Sequence, residues 1–174
     1  MVGVALPLVL IIILKKAEHS PGKEKGMRPK DWTLLVISAA DSQGLSPVQL
    51  QKSLFLLERR LSENIPEEKL GEAFYEFIPY NYGPFDVKIY QDAEVLEEEG
   101  LITIQSSAGR RWKIYQAIPS GLRVATKLRS EVSPRVLSYL DTIVAWVLER
   151  SFRDLVLAVY KAYPEFREHS VFQG

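Results

Sequence analysis

YNYGPFDVKIYQDAEVLEEEG, residues 80–100, is the stretch on which the fold turns. It opens with aromatic and turn-forming residues, and Asn81, Tyr82 and Gly83 read as a turn. Pro84 then starts a helix expected over 85–99, with Phe85, Ile89, Ala93 and Leu96 facing a core at helical spacing. Gly100 ends that helix. Strands are expected over 101–105 and 112–117, joined by the tip 106–111, where Gly109 suits a hairpin turn. Just upstream, FYEFIPY (74–80) is rich in aromatics and reads as extended, although Pro79 argues against a central strand.

Working outward, DWTLLVISAA (31–40) is expected to be a helix capped by Asp31, with Trp32, Leu35, Val36 and Ala39 on one face. DSQG (41–44) is a turn with Gly44 as its stop. In LSPVQLQKSLFLLERRL (45–61), Ser46 caps, Pro47 takes the first helical position and Gln49 completes a capping box. Leu50, Leu54, Leu57 and Leu61 form its apolar stripe. A loop follows over 64–74, with a short helix after Pro66. Ser120 opens a helix to Arg129, and Pro134 starts a long one with Val136, Leu140, Ile143, Val144 and Val147 inward. Ser151 caps the last, which stops at Tyr163 before Pro164. The pattern predicts an α+β, mainly α chain. It divides into an extension (1–26), a domain over 27–130, and a C-terminal helical extension (131–174) packing on that domain.

The 174 residues suit one domain with a real core. Lys and Arg number 22, as do Asp and Glu, so no global field draws the chain to polyanions. There is no cysteine, which excludes disulfides and thiol chemistry, and the two histidines lie in the tails. The apolar run 2–14 is thirteen residues long, against about twenty for a membrane-spanning helix. It lacks a basic leader and a clear cleavage site, so a secretory signal fits poorly. Two readings remain: a short anchor, with Lys15 and Lys16 on the cytoplasmic side, or translation starting at Met27. Removing 1–26 takes away four basic and two acidic residues and leaves 18 against 20. The expected compartment is the cytoplasm, with no membrane contact unless residues 1–16 are native.

The order of helix, aromatic turn, helix ending EEGLI, hairpin and capped helix resembles a winged helix. IPSG (118–121) stands where many winged-helix regulators begin the helix after the wing. Three segments, LQKSLFLLERRL (50–61), FIPYNYGPFDVKIYQDAEVLEEEGLI (77–102) and LVLAVYKAYPEFREHS (155–170), resemble the YwgA-like prokaryotic family. That family is distantly related to the Panacea or SocA-type antitoxin-associated domain. The resemblance implies binding of a protein partner, in relatives a toxin encoded nearby; the longer C-terminal part departs from the pattern.

In a winged helix the helix before the hairpin enters the major groove. Here residues 85–99 carry Asp86, Asp92, Glu94, Glu97, Glu98 and Glu99 against Lys88 alone, so DNA would repel them. The wing is the opposite: Arg110, Arg111, Trp112 and Lys113, followed by Arg123 and Lys127, are the candidate nucleic-acid residues, able to meet phosphates of double-stranded DNA without reading sequence. The bland alternative is a solvated charged surface with Trp112 packed into the sheet. Tyr80, Tyr82, Asp86, Tyr90 and Glu94 are the candidate partner-binding residues, and Asn81, Gly83 and Pro84 the structural turn. Glu97, Glu98 and Glu99 point about 100° apart, so they do not converge on a metal. No phosphate-cradling loop or nucleophile–base pattern is present, so no catalytic residue, metal or cofactor is expected. Trp146, Phe152, Tyr160 and Tyr163 exceed what one apolar stripe needs, which raises a homodimer. The leading expectation is a regulatory or protein-interaction module, antitoxin-like; the alternative is a transcriptional regulator using the basic wing.

Overall fold

Proline at the start of a helix loses no hydrogen bond, and α1 begins with one, running over Pro29–Ala39. Its start corrects the expected cap. Pro29 moves the helix two residues upstream, so Asp31 is the third helical residue and reaches back. Its carboxylate accepts from the Arg28 backbone N–H and guanidinium, both at 2.9 Å. The computed structural model describes residues 26–66, 70, 74–106, 109 and 112–173. The apolar run 2–14 and the short helix expected after Pro66 lie outside the described residues. No described helix is long and apolar enough to cross a membrane.

A single 3-10 turn, Asp41–Gln43, leads to Gly44 and to α2, Pro47–Asn64. The capping box forms as expected: Ser46 Oγ accepts from Gln49 N at 3.3 Å, and Gln49 Oε1 accepts from Ser46 N at 2.9 Å. Every residue from Leu50 to Leu57 is buried, polar ones included. So α2 is wrapped on all sides, not laid on a surface by one stripe.

The wrapping comes partly from a ribbon, β1 (Ile78–Tyr80) and β2 (Gly83–Phe85), paired antiparallel with Tyr80 opposite Gly83. This corrects the expected helix start at Phe85: α3 spans Lys88–Glu98. Pro84 lies in β2 opposite Pro79, Phe85 pairs with Ile78, and the chain turns into the helix only after Asp86. The carboxylate of Asp86 accepts from Lys88 N at 2.9 Å, at the helix entrance.

The hairpin is β3 (Ile102–Ser106) with β4 (Lys113–Ala117), Ile104 opposite Tyr115. Leu45 exchanges two 2.9 Å hydrogen bonds with Tyr115, a one-residue third strand. Then come α4 (Pro119–Arg129), α5 (Pro134–Leu148) and α6 (Phe152–Ala162). Ser133 and Ser151 each accept a backbone N–H at the starts of α5 and α6. A 3-10 turn, Pro164–Arg167, follows. One apolar cluster joins α1, α2, α3 and residues of the C-terminal helices as far as Phe166, so those helices pack on the same core. The architecture is α+β and mainly α, with two small two-stranded sheets among the described residues.

At the centre, Phe55 meets Phe77, Tyr163 and Phe166 edge-on at centroid distances of 5.3, 5.0 and 4.9 Å. Beside it a buried polar relay links three elements: Thr33 and Tyr75 OH lie 2.6 Å apart, and Tyr75 OH donates to Asp92 at 2.6 Å. Burial, and then the Asp92 carboxylate, push the Tyr75 phenol far above its ordinary value. Tyr75→Phe leaves the buried Thr33 hydroxyl and the half-buried Asp92 carboxylate without this partner, and we expect it to cost about 1–3 kcal/mol, read as a lower urea midpoint at unchanged slope.

Candidate functional site

The acidic residues of 85–99 are largely engaged within the chain. Asp86 is buried, and its carboxylate accepts from Glu76 N at 2.8 Å as well as from Lys88 N. The Gln51 side chain clamps its backbone, donating to Asp86 O at 2.8 Å and accepting from Asp86 N at 3.0 Å. Asp86 is therefore part of the ribbon's anchor and is not presented to a partner. Asp92 accepts from the Tyr75 hydroxyl, Glu97 accepts from Ile104 N at 2.6 Å, and Glu99 pairs with Lys30. Glu94 stays exposed. The end of α3 carries its carboxylates because β3 and α1 supply donors, which local sequence does not show.

Of the aromatic candidates, Tyr80 and Tyr82 are exposed at the ribbon turn and Tyr90 is half-buried. Tyr80 stacks on Phe85 at 4.8 Å, Phe85 meets Tyr90 at 5.7 Å, and Tyr90 stacks on Tyr115 at 6.1 Å. Four rings thus run from ribbon to hairpin. Burial pushes the Tyr90 phenol up to about 12. Asn81 and Tyr82 form the turn between β1 and β2, and Gly83 and Pro84 open β2. Gly83 has φ +96°, and Asn81 O accepts from Val171 N at 3.0 Å, which ties the C-terminal tail to the turn.

Arg110 and Arg111 lie outside the described residues. Trp112 does not pack into the sheet; it is 49% exposed, and Lys113, Arg123 and Lys127 are exposed too. Arg123 and Lys127 stand one turn apart on α4, and neither has a carboxylate partner among the described residues. Arg129, by contrast, is engaged: it grips Asp141 with two hydrogen bonds of 2.9 and 2.6 Å. Tyr160 and Tyr163 are buried and Trp146 lies under the Arg150 guanidinium at 4.0 Å, which leaves Phe152 as the exposed ring of that set.

Between these parts lies a groove of about 850 Å3. Its rim rings come from three distant segments: Tyr82 from the ribbon turn, Trp112 from the wing and Phe152 from the start of α6. Tyr82 and Phe152 meet edge-on at 5.2 Å. Gln43 and Gln49 supply amides, and Arg150 is the charged residue among the described lining. The sequence offered Tyr82, Trp112 and Phe152 as three unrelated aromatics; only the fold brings them to one rim.

One further group escaped the sequence reading. Lys52 is 2% exposed, and its Nζ donates to Pro84 O at 2.9 Å. Burial alone brings its ammonium down to about 7. It lines a second cavity, of about 140 Å3, together with Gln51, Tyr80, Phe85 and Tyr90. A signal was present: Lys52 lies two residues after Leu50 and two before Leu54, but a lysine between apolar positions reads as solvent-facing by default. Comparison with protein-family models and with curated proteins gives no match for this chain.

Proposed function

We propose that the chain is a protein-interaction module of winged-helix type, and that its partner docks an extended segment in the groove rimmed by Tyr82, Trp112 and Phe152. The observation that carries this reading is the rim itself: three rings, each 40–49% exposed, drawn from separate segments. Exposed aromatics around a desolvated recess are where binding energy concentrates. The partner segment would place apolar or aromatic side chains among the rings and an acidic one against Arg150. Winged-helix topology is supported by the element order and by the one-residue Leu45 strand on β4. An antitoxin-like role, implied by the family resemblance, is one form of this activity.

The acidic helix is a poorer partner surface than its composition promised, because Asp86, Asp92, Glu97 and Glu99 are already engaged. A second reading keeps one supporting observation: Lys113, Arg123 and Lys127 are exposed beside the wing, where DNA phosphates could lie.

The test is affinity capture from native cells with the unaltered chain and with Trp112→Ala/Phe152→Ala, each with and without nuclease, followed by titration of the captured protein in purified form. We expect the double variant to fold normally and to bind that protein at least about tenfold more weakly, about 1.4 kcal/mol or more. Capture unaffected by the double substitution, or lost on nuclease treatment, would overturn the groove reading; the second outcome favours the basic wing.

A further inference from the structure

A buried lysine without a carboxylate beside it is costly to charge, since its ammonium leaves water and gains no counter-ion. Lys52 is in that position. Its amine has one hydrogen-bond acceptor among the described residues, the Pro84 carbonyl. No described carboxylate acts on it; desolvation is the whole cause of its low proton affinity. The acid closest along the ribbon, Asp86, has its carboxylate held by Glu76 N and Lys88 N. The titratable groups facing the amine are phenols: Tyr80 and Tyr82 from the ribbon, Tyr90 from α3, and Tyr160 of α6, whose ring packs against Gly83.

We propose that the cavity beside Lys52 binds a small monocarboxylate with a flat apolar body. The carboxylate accepts from Lys52 Nζ, and the body lies among the rings of Tyr80, Phe85 and Tyr90. The volume of about 140 Å3 suits one ring or a short chain; an apolar cavity of about 150 Å3 takes up benzene. The walls are apolar faces with polar tips: the phenol groups of Tyr80 and Tyr90 and the Asn81 amide are the donors available for the second carboxylate oxygen. A ligand of this kind supplies the negative charge that the fold withholds. A neutral ligand of equal shape gains the ring contacts alone.

Proton linkage follows. The bound anion favours the ammonium form, so above about pH 7 the complex takes up a proton as it forms, and affinity falls as pH rises. The inference needs no protein partner, although Tyr82 and Val48 line both this cavity and the groove.

Benzoate is a suitable probe and benzyl alcohol its neutral counterpart, titrated calorimetrically into the full chain at about pH 7 and about pH 9. Lys52→Met, which keeps the side-chain volume, is the matched variant. We expect benzoate to bind at least about tenfold more tightly at the lower pH, with proton uptake measured across buffers of different ionisation enthalpy. Benzyl alcohol should bind more weakly and without pH dependence. Lys52→Met should lose benzoate while keeping its native circular dichroism. Benzoate binding that persists in Lys52→Met, that ignores pH, or that is absent at millimolar concentration would overturn the proposal. Should Lys52→Met fail to fold, the pH dependence on the unaltered chain decides alone.

Discussion

Gly121→Ala should destabilise the protein by more than about 3 kcal/mol, or leave it unfolded, although it adds one methyl group. A Cβ at Gly121 would lie 1.9 Å from Leu101 O and 2.8 Å from Leu101 C. Both are backbone atoms and neither can yield as a side chain would. Leu101 O is fixed because it accepts from Ile118 N at 3.1 Å, and Ser120 Oγ donates to the neighbouring Gly100 O. Relief of the clash must therefore lift α4 from the start of β3, which breaks these bonds and opens the core at Ala125 and Ile102. Gly100→Ala is the informative comparison. Gly100 has φ +68°, but a Cβ there meets nothing within 4 Å, so its cost is the left-handed strain of about 1–2 kcal/mol. Urea denaturation of both variants should rank them in that order, and equal midpoints would contradict the close approach.

The second large effect concerns pH. The Lys52 ammonium titrates at about 7 in the folded chain and near its ordinary value of 10.5 when unfolded. Between these values the unfolded chain holds a proton that the folded chain does not. Stability therefore rises with pH across that window, by about 1.4 kcal/mol per unit, and is independent of this group below about pH 7. Between about pH 7 and 10 the gain approaches 4 kcal/mol. The phenols of Tyr75, Tyr90 and Tyr163 are all raised by burial. They act with the opposite sign, because the unfolded chain loses its phenolic protons first, so the rising limb ends near pH 10. Lys52→Met should flatten the limb and stabilise the protein at neutral pH by about 1–4 kcal/mol, less the cost of leaving Pro84 O without its donor. Chemical denaturation at several pH values checks both statements. A flat profile for the unaltered chain would show that Lys52 is hydrated when folded.

What the sequence made legible is what is local. The S-P-V-Q start of α2 reads correctly because its capping bonds lie within four residues. The starts of α5 and α6 are legible for the same reason, whereas α4 starts at Pro119, one residue before the expected Ser120, with no side-chain cap, because Ser120 Oγ donates to Gly100 O instead. Phe85 illustrates the opposite case. Proline opens helices and also sits in ribbons, and the choice at Pro84 is made by partners far away: Gln51 clamps Asp86 from 35 residues upstream, and Ser170 and Val171 hold Asn81 from the tail. The burial of Lys52 and the partners of Glu97 and Glu99 could not be read locally either. Charged residues default to solvent unless a non-local element covers or pairs them, and here β2 and Lys30 do so. The groove rim could not be read at all, since Tyr82, Trp112 and Phe152 are neighbours only once the ribbon, the wing and α6 are in place.

Tyr82 and Val48 belong to the walls of both the large groove and the Lys52 cavity. Two chambers with a common partition are thermodynamically coupled whenever an occupant moves it. Whatever factor a guest in the small chamber imposes on affinity in the large one, the large one's guest imposes in return. Any displacement of Tyr82 by one guest is therefore felt by the other to the same degree.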